Sequence, residues 1–220
     1  MTGTSMDGID ISLVKTNGIV LKRLNKNFYY KYSSETKKIL DDILKTDINI
    51  NLKKKNILDE FITNEHYLAL KDLDIVQNCD LIGFHGQTIY HNPKKKVSIQ
   101  LGDPRKLAKL LNKDVIFNYR SDDIECGGQG APLAPIYHKF IVESLKLELP
   151  CCILNIGGIS NITYWDGKEL IGFDTGPGNA LMDDYMSNVF NQSLKGFFGA
   201  LNFHHETILE YGFLTTPYSL

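Results

Sequence analysis

The alternation of apolar and polar residues divides the chain into short segments of both regular kinds. Residues 10–16 (DISLVKT) alternate as a half-buried strand does, and residues 20–24 follow across an Asn17-Gly18 turn as a hairpin partner. Ser34 stands ahead of Ile39, Leu40, Ile43 and Leu44, which fall on one face of a helix that this serine can cap. A second helix is predicted over residues 57–70, with Leu58, Phe61 and Ile62 on its apolar side, and a short buried strand over 81–84 runs into HGQT (85–88). VSIQL (97–101) has strand character. Asp103 and Pro104 suit the N-cap and first position of a helix through Leu107, Leu110 and Leu111. Residues 115–119 (VIFNY) are predicted as the next strand, and after the loop GGQGAPLAP a helix is predicted over about 136–145.

From Pro150 the pattern changes to strand, turn, strand. CCILNI (151–156), NITYW (161–165) and ELIGFD (169–174) are separated by Gly157-Gly158 and Asp166-Gly167, which predicts a β-meander, with a helix following from Asn179. Strands and helices in both halves predict a mixed α/β architecture of two domains, residues 1–140 and 141–220. The length of 220 residues and an apolar content of 43% allow a sizeable core. A net charge of -2 offers no electrostatic case for nucleic acid or an anionic membrane, and Lys94-Lys95-Lys96 after Asn92-Pro93 has the setting of a solvated loop. Cys79, Cys126, Cys151 and Cys152 form no C-x-x-C pair and are predicted to be reduced core thiols of a cytosolic protein. The polar N-terminal residues lack a signal-peptide pattern, and no apolar run approaches the length of a membrane span.

Candidate chemistry is concentrated in three segments, GTSMDGID, LNIGGISNIT and FDTGPGNAL. Each joins regular structure to glycines and small hydroxyl or carboxylate residues. Glycines let the backbone approach a phosphate, and successive N–H groups form an anion-binding concavity. Thr4, Ser5, Ser160 and Thr175 add hydroxyl donors, and a helix beginning after FDTGPGN would favour an anion at its N-terminus. Any one such turn is explained by tight turning alone; three together point to phosphate. The P-loop pattern, G-x-G-x-x-G and G-x-S-x-G are all missing from the sequence. What remains is a nucleotide site divided between two domains, each donating hairpin loops to the phosphates.

The series GTSMDGID, GFHGQTIYH, QLGDP, YRSDDIECGGQGAPLAP, LNIGGISNIT and FDTGPGNALMDDY resembles the anhydro-N-acetylmuramic acid kinase family, of the actin/hexokinase/Hsp70-like superfamily, over residues 1 to about 185. The resemblance implies an actin-like ATPase (ribonuclease H-like) two-domain fold. It also implies a kinase that uses ATP and Mg2+ to phosphorylate the 6-oxygen of 1,6-anhydro-N-acetylmuramic acid while water opens the anhydro ring, a step in cell-wall recycling. By the same resemblance Gly3, Thr4, Ser5, Met6, Asp7, Gly8, Ile9 and Asp10 form the ATP-phosphate loop, joined by Gly157, Gly158, Gly176, Gly178 and Asn179. Asp174 matches the general base for the attacking water, its alternative being a turn-capping Asp. Arg120 matches a sugar-contacting arginine, its alternative being an ion pair with Asp122 or Asp123. His85 and Gln87 would line the sugar pocket, His85 being equally suited to a structural hydrogen bond. Asp7 and Asp10 would organise Mg2+ through water, with no direct protein ligand expected, and His204-His205-Glu206 belongs to the surface.

Against the family pattern the chain lacks a strand before the phosphate loop, carries Asn118 where Asp is usual, and stops inside the second domain. The resemblance therefore implies a nearly complete first domain and a truncated second one. It leaves three functional expectations: the kinase itself, an inactive truncated remnant of it, or a half that needs a complementing chain. In-line phosphoryl transfer rests on positioning by both domains, so the polypeptide alone is expected to show no turnover. An exopolyphosphatase-like phosphohydrolase is a further alternative, opposed by HGQT and GGQGAPL. The expected partners are the amino sugar and ATP, with a homodimer in the full-length family and no nucleic acid or membrane.

Overall fold

The computed structural model describes residues 2, 6, 8–18, 20–45, 52–178 and 181. These fall into two compact units, residues 1–130 and 131–220. In the first, β1 (Gly8–Thr16) and β2 (Leu21–Lys31) pair antiparallel with a bulge at Leu13/Val14. Their turn is closed by side chains: Asn17 Oδ1 accepts from Val20 N–H at 2.8 Å, and Thr16 Oγ1 donates to the Val20 carbonyl at 2.8 Å. The helix α1 (Ser34–Lys45) is capped one residue earlier than expected, because Ser33 Oγ accepts the Thr36 N–H at 3.1 Å.

There follow α2 (Leu52–Leu70), the short α3 (Asp74–Gln77), β3 (Leu81–Gly83), β4 (Gln87–Asn92), a 3-10 turn (Pro93–Lys95) carrying two of the three clustered lysines, and β5 (Val97–Leu101). The remaining elements of this unit are α4 (Pro104–Leu111), β6 (Asp114–Ile116) and α5 (Tyr119–Glu125). Strands β4 and β5 pair antiparallel, while β3 and β6 pair parallel. The Asp103 cap is as expected, with Oδ1 accepting from Arg105 N at 2.9 Å and Lys106 N at 3.0 Å. Where a strand was expected through Tyr119, β6 ends at Ile116 and Asn118 turns left-handed (φ 68°), a conformation asparagine tolerates, to start α5. Two apolar clusters hold the unit. Met6, Ile9, Leu40, Ile62 and Leu101 anchor one; Leu70, Val76, Phe84 and Leu107 anchor the other, with Ile11, Ile82 and Val115 packed against it.

The second unit opens with α6 (Ala134–Leu145), then β7 (Cys151–Ile156), β8 (Ile159–Trp165) and β9 (Leu170–Pro177) in one antiparallel sheet of order β7-β8-β9. Val142 of α6 clusters with Ile153 and Trp165, and His138 Nδ1 shares a 2.7 Å hydrogen bond with Thr163 Oγ1. Those contacts carry all of α6 into this unit, so the division falls ahead of the 140/141 join expected from sequence. The opposite face of the sheet leaves Ile156, Ile171 and Phe173 exposed. All four cysteines are free, but only Cys79 and Cys151 are half-buried; Cys126, in the loop after α5, and Cys152, on the outer face of an edge strand, are exposed rather than core thiols. No helix among the described residues is long and apolar enough to cross a membrane. The helix expected from Asn179 and the His204-His205-Glu206 segment lie outside the described residues.

Candidate active site

Ligands of α/β sheets are taken at the carboxyl ends of parallel strands. Strands β3 and β6 end together, Phe84 N donating to the Ile116 carbonyl at 2.8 Å. The chain beyond β3 presents His85 and the chain beyond β6 presents Arg120 from the first turn of α5. These two side chains meet: Arg120 Nε donates to His85 Nε2 at 2.9 Å. His85 Nδ1 donates in turn to the Gly86 carbonyl at 2.7 Å, so the proton sits on Nδ1 and the ring is neutral. Burial first, and then the adjacent Arg120 charge, lower the His85 pKa to about 4. The Gly86 carbonyl also accepts Thr2 Oγ1 at 2.6 Å, which ties the start of the chain to this point. Arg120 is fixed a second time by Nη1, which donates to the Gly130 carbonyl at 2.8 Å.

The other expected sugar-side residue, Gln87, is fully buried. Tyr32 Oη makes a long 3.5 Å bond to its Oε1, and its Nε2 donates to the Thr88 carbonyl at 3.3 Å. Of the expected phosphate loop, Met6 (φ 47°) and Ile9 bury their side chains in the core, so only their backbone is available to a ligand. Gly8 lies against the Tyr30 carbonyl and Tyr29 Oη, where a Cβ could not fit. Asp10 is half-buried on β1 opposite Tyr29. Gly3, Thr4, Ser5, Asp7 and Asn179 lie outside the described residues.

In the second unit the remaining two glycine segments converge. The Gly157-Gly158 turn joins β7 to β8, and Gly178 N donates to the Gly158 carbonyl at 2.9 Å from the end of β9. A Cβ at Gly178 would strike the Gly157 carbonyl and come within 2.7 Å of Ser160 Oγ, and Thr175 Oγ1 donates to the Ser160 carbonyl at 3.1 Å. Gly176, at φ 142°, faces open space. Asp174 is exposed on β9, directly across the ladder from Asn161, which itself pairs with Asn155. That row has no signature in the sequence, because the ladder is centred on Gly158 and not on the middle of the glycine pair. Asn161 Oδ1 is buried and has no hydrogen-bond partner.

Among the described residues no three His, Cys, Asp or Glu side chains cluster as metal ligands; at the glycine turns Gly176 faces open space, while the Gly178 N–H and the Thr175 hydroxyl are taken up within the turns. An arginine held at strand ends in the first unit and paired glycine turns in the second belong to a protein of mixed α/β class. A model of the family described as "Anhydro-N-acetylmuramic acid kinase" matches residues 1–195. A protein of that name from Bradyrhizobium diazoefficiens is 40% identical, aligned over 91% of this chain and 58% of its own length. One from Pelagibacter ubique is 42% identical over 84% of this chain and 52% of its own, and one from Rhodopseudomonas palustris is 39% identical over 84% and 54%. The chain spans a little over half the length of these relatives. It belongs to the anhydro-N-acetylmuramic acid kinase family.

Proposed function

We propose that the chain supplies the sugar-recognising and water-activating residues of an ATP-dependent kinase. The reaction converts 1,6-anhydro-N-acetylmuramic acid to N-acetylmuramic acid 6-phosphate, within an actin-like two-domain fold. Family membership supports the reaction class, and the observation that carries the sugar assignment is the Arg120–His85 bond at the ends of β3 and β6. A guanidinium fixed by its Nε and one Nη can take a carboxylate on its fork, and the lactyl carboxylate of the amino sugar fits that chemistry. Neutral His85 holds Arg120 without adding a competing charge.

Asp174, exposed beside the glycine turns, accepts a proton from the water that attacks the anomeric carbon. As that C–O bond forms, the anhydro bond breaks, and the released 6-oxygen takes the γ-phosphoryl group of ATP as the bond from that phosphorus to the ADP oxygen breaks. Backbone N–H groups of residues 3–10, Gly157, Gly158 and Gly176, with Asn179, would hold the phosphates, and Gly178 would set the turn through its bond to the Gly158 carbonyl. Mg2+, ordered through water by Asp7 and Asp10, would supply charge neutralisation at the phosphate oxygens. A cytoplasmic homodimer belongs to the same reading.

Calorimetry with the amino sugar and an assay for ATP-dependent sugar phosphate test it on the full chain. Binding that is lost in Arg120→Ala, and loss of any turnover in Asp174→Asn, are the expected outcomes. Binding without turnover, converted to turnover by adding the C-terminal part of a relative, would assign the chain the role of a half that needs complementing. No sugar binding at all overturns the assignment.

A further inference from the structure

The peptide whose carbonyl accepts Arg120 Nη1 is held on its other side by the carboxylate of Asp123. Arg120 and Asp123 share one face of α5, three residues apart. Beyond the helix the chain folds back over that face: Cys126 N donates to the Asp122 carbonyl at 2.9 Å, Gly127 N to the Ile124 carbonyl at 3.0 Å and Gly128 N to the Asp123 carbonyl at 2.7 Å. The Asp123 carboxylate then fills the loop. Its Oδ2 accepts the Gly130 N–H at 2.7 Å, and the carbonyl of the same Gly130 accepts Arg120 Nη1 at 2.8 Å.

The two glycines are shaped around this arrangement. A Cβ at Gly128 would strike the Asp123 carboxylate, and one at Gly130, buried at φ 72°, would lie 2.8 Å from Ile124 Cδ1 and 3.0 Å from the Arg120 carbonyl. An arginine stem has several free torsions, and beside the bond to His85 the one at Nη1 further restrains the guanidinium plane. That second bond is only as rigid as the Gly130 peptide, and Asp123 is what holds the peptide.

We propose that Asp123 is a positioning residue for sugar-acid recognition, orienting the Arg120 fork through the Gly130 peptide. The proposal rests on the reading of Arg120 as the carboxylate receptor, and its test separates the two. The ring of His85 reports on Arg120 directly, because the guanidinium charge bonded to Nε2 lowers its titration midpoint. Removing the Asp123 charge would by itself lower that midpoint further, whereas release of Arg120 raises it, so the sign of the change identifies the cause.

His85 is titrated by NMR in the full chain and in Asp123→Ala and Asp123→Asn, with 1,6-anhydro-N-acetylmuramic acid binding measured by calorimetry on the same samples. In Asp123→Ala the midpoint is expected to rise by roughly half a unit or more and the dissociation constant to rise about tenfold. Asp123→Asn keeps an acceptor for the Gly130 N–H and is expected to preserve the affinity, with a midpoint that stays or falls because only the charge is lost. Asp123→Ser, whose hydroxyl is too short to reach Gly130, serves if the alanine variant does not fold and is expected to behave as alanine would. A midpoint that stays or falls in the alanine or serine variant, or a sugar affinity that does not change, overturns the proposal. So does failure of both variants to fold, which assigns Asp123 a purely structural role. If the unaltered chain binds no sugar, the receptor reading of Arg120 fails, and the His85 midpoint still decides whether Asp123 positions it.

Discussion

Two hydrogen bonds decide where one proton sits on His85, and that fixes how the residue responds to pH. In the folded chain its midpoint lies at about 4, and that of His66, wholly enclosed and stacked edge-on against Phe84, at about 3, both chiefly through burial. An unfolded histidine titrates near 6.5. Between those values the unfolded chain binds more protons than the folded one, so stability is complete above about pH 6.5 and declines as pH falls toward 4. Each unit descended costs at most about 1.4 kcal/mol per histidine. Urea midpoints of the chain should therefore drop from pH 7.5 to pH 4.5, and a midpoint independent of pH across that range would contradict the burial of both rings. Arg120→Lys is expected to weaken sugar-acid binding by about tenfold with the fold retained, since an ammonium cannot serve His85, Gly130 and a carboxylate in one plane. Binding equal to the unaltered chain would show that the fork is not used. The identities of His85 and Arg120 were legible in HGQT and YRSDD; the bond between them was not, because no local pattern joins residues 35 apart.

Whole elements were legible where pattern and punctuation agreed. VSIQL and CCILNI are the strands β5 and β7, and α4 begins at its Asp103-Pro104 signal. Asp103→Ala should cost about 1 kcal/mol in chemical denaturation, and no change would mean the cap is replaced by another acceptor. In strand β4 the inward alternation is confined to Gln87 and Ile89, too short a run to mark a strand within HGQTIYH. Helix α5 carries only Ile124 as a buried residue, so it offers no helical stripe to read. Strand β2 runs on to Lys31, well past the five residues whose alternation marked it, because the ladder to β1 continues from Thr16 to Gly8. At the end of β9, Gly178→Ala must push the Gly157-Gly158 turn away. It should lower the melting temperature of the chain and weaken nucleotide binding, and a thermally neutral substitution would show that the two glycine segments do not pack.

On the scale of the chain, the mixed α/β class and the family were both recoverable from residue order, because six worded segments survive in sequence. The positioning roles were not, since Asp123 acts on Arg120 through a peptide group seven residues further on and leaves no signature of side-chain types. Asp103 and Gly178 lie in different units and share no hydrogen-bond partner among the described residues, so their destabilisations should add to within about 0.5 kcal/mol in the double variant; a larger coupling would show that the two positions interact. Among the described residues only one strand, β8, has neighbours on both sides. In deuterated buffer that strand should retain a continuous run of protium, whereas β7 and β9 should keep it only at alternate residues, where the amide points inward to β8. Read along Cys151–Ile156, the isotope pattern would be a comb, and along Ile159–Trp165 a solid bar.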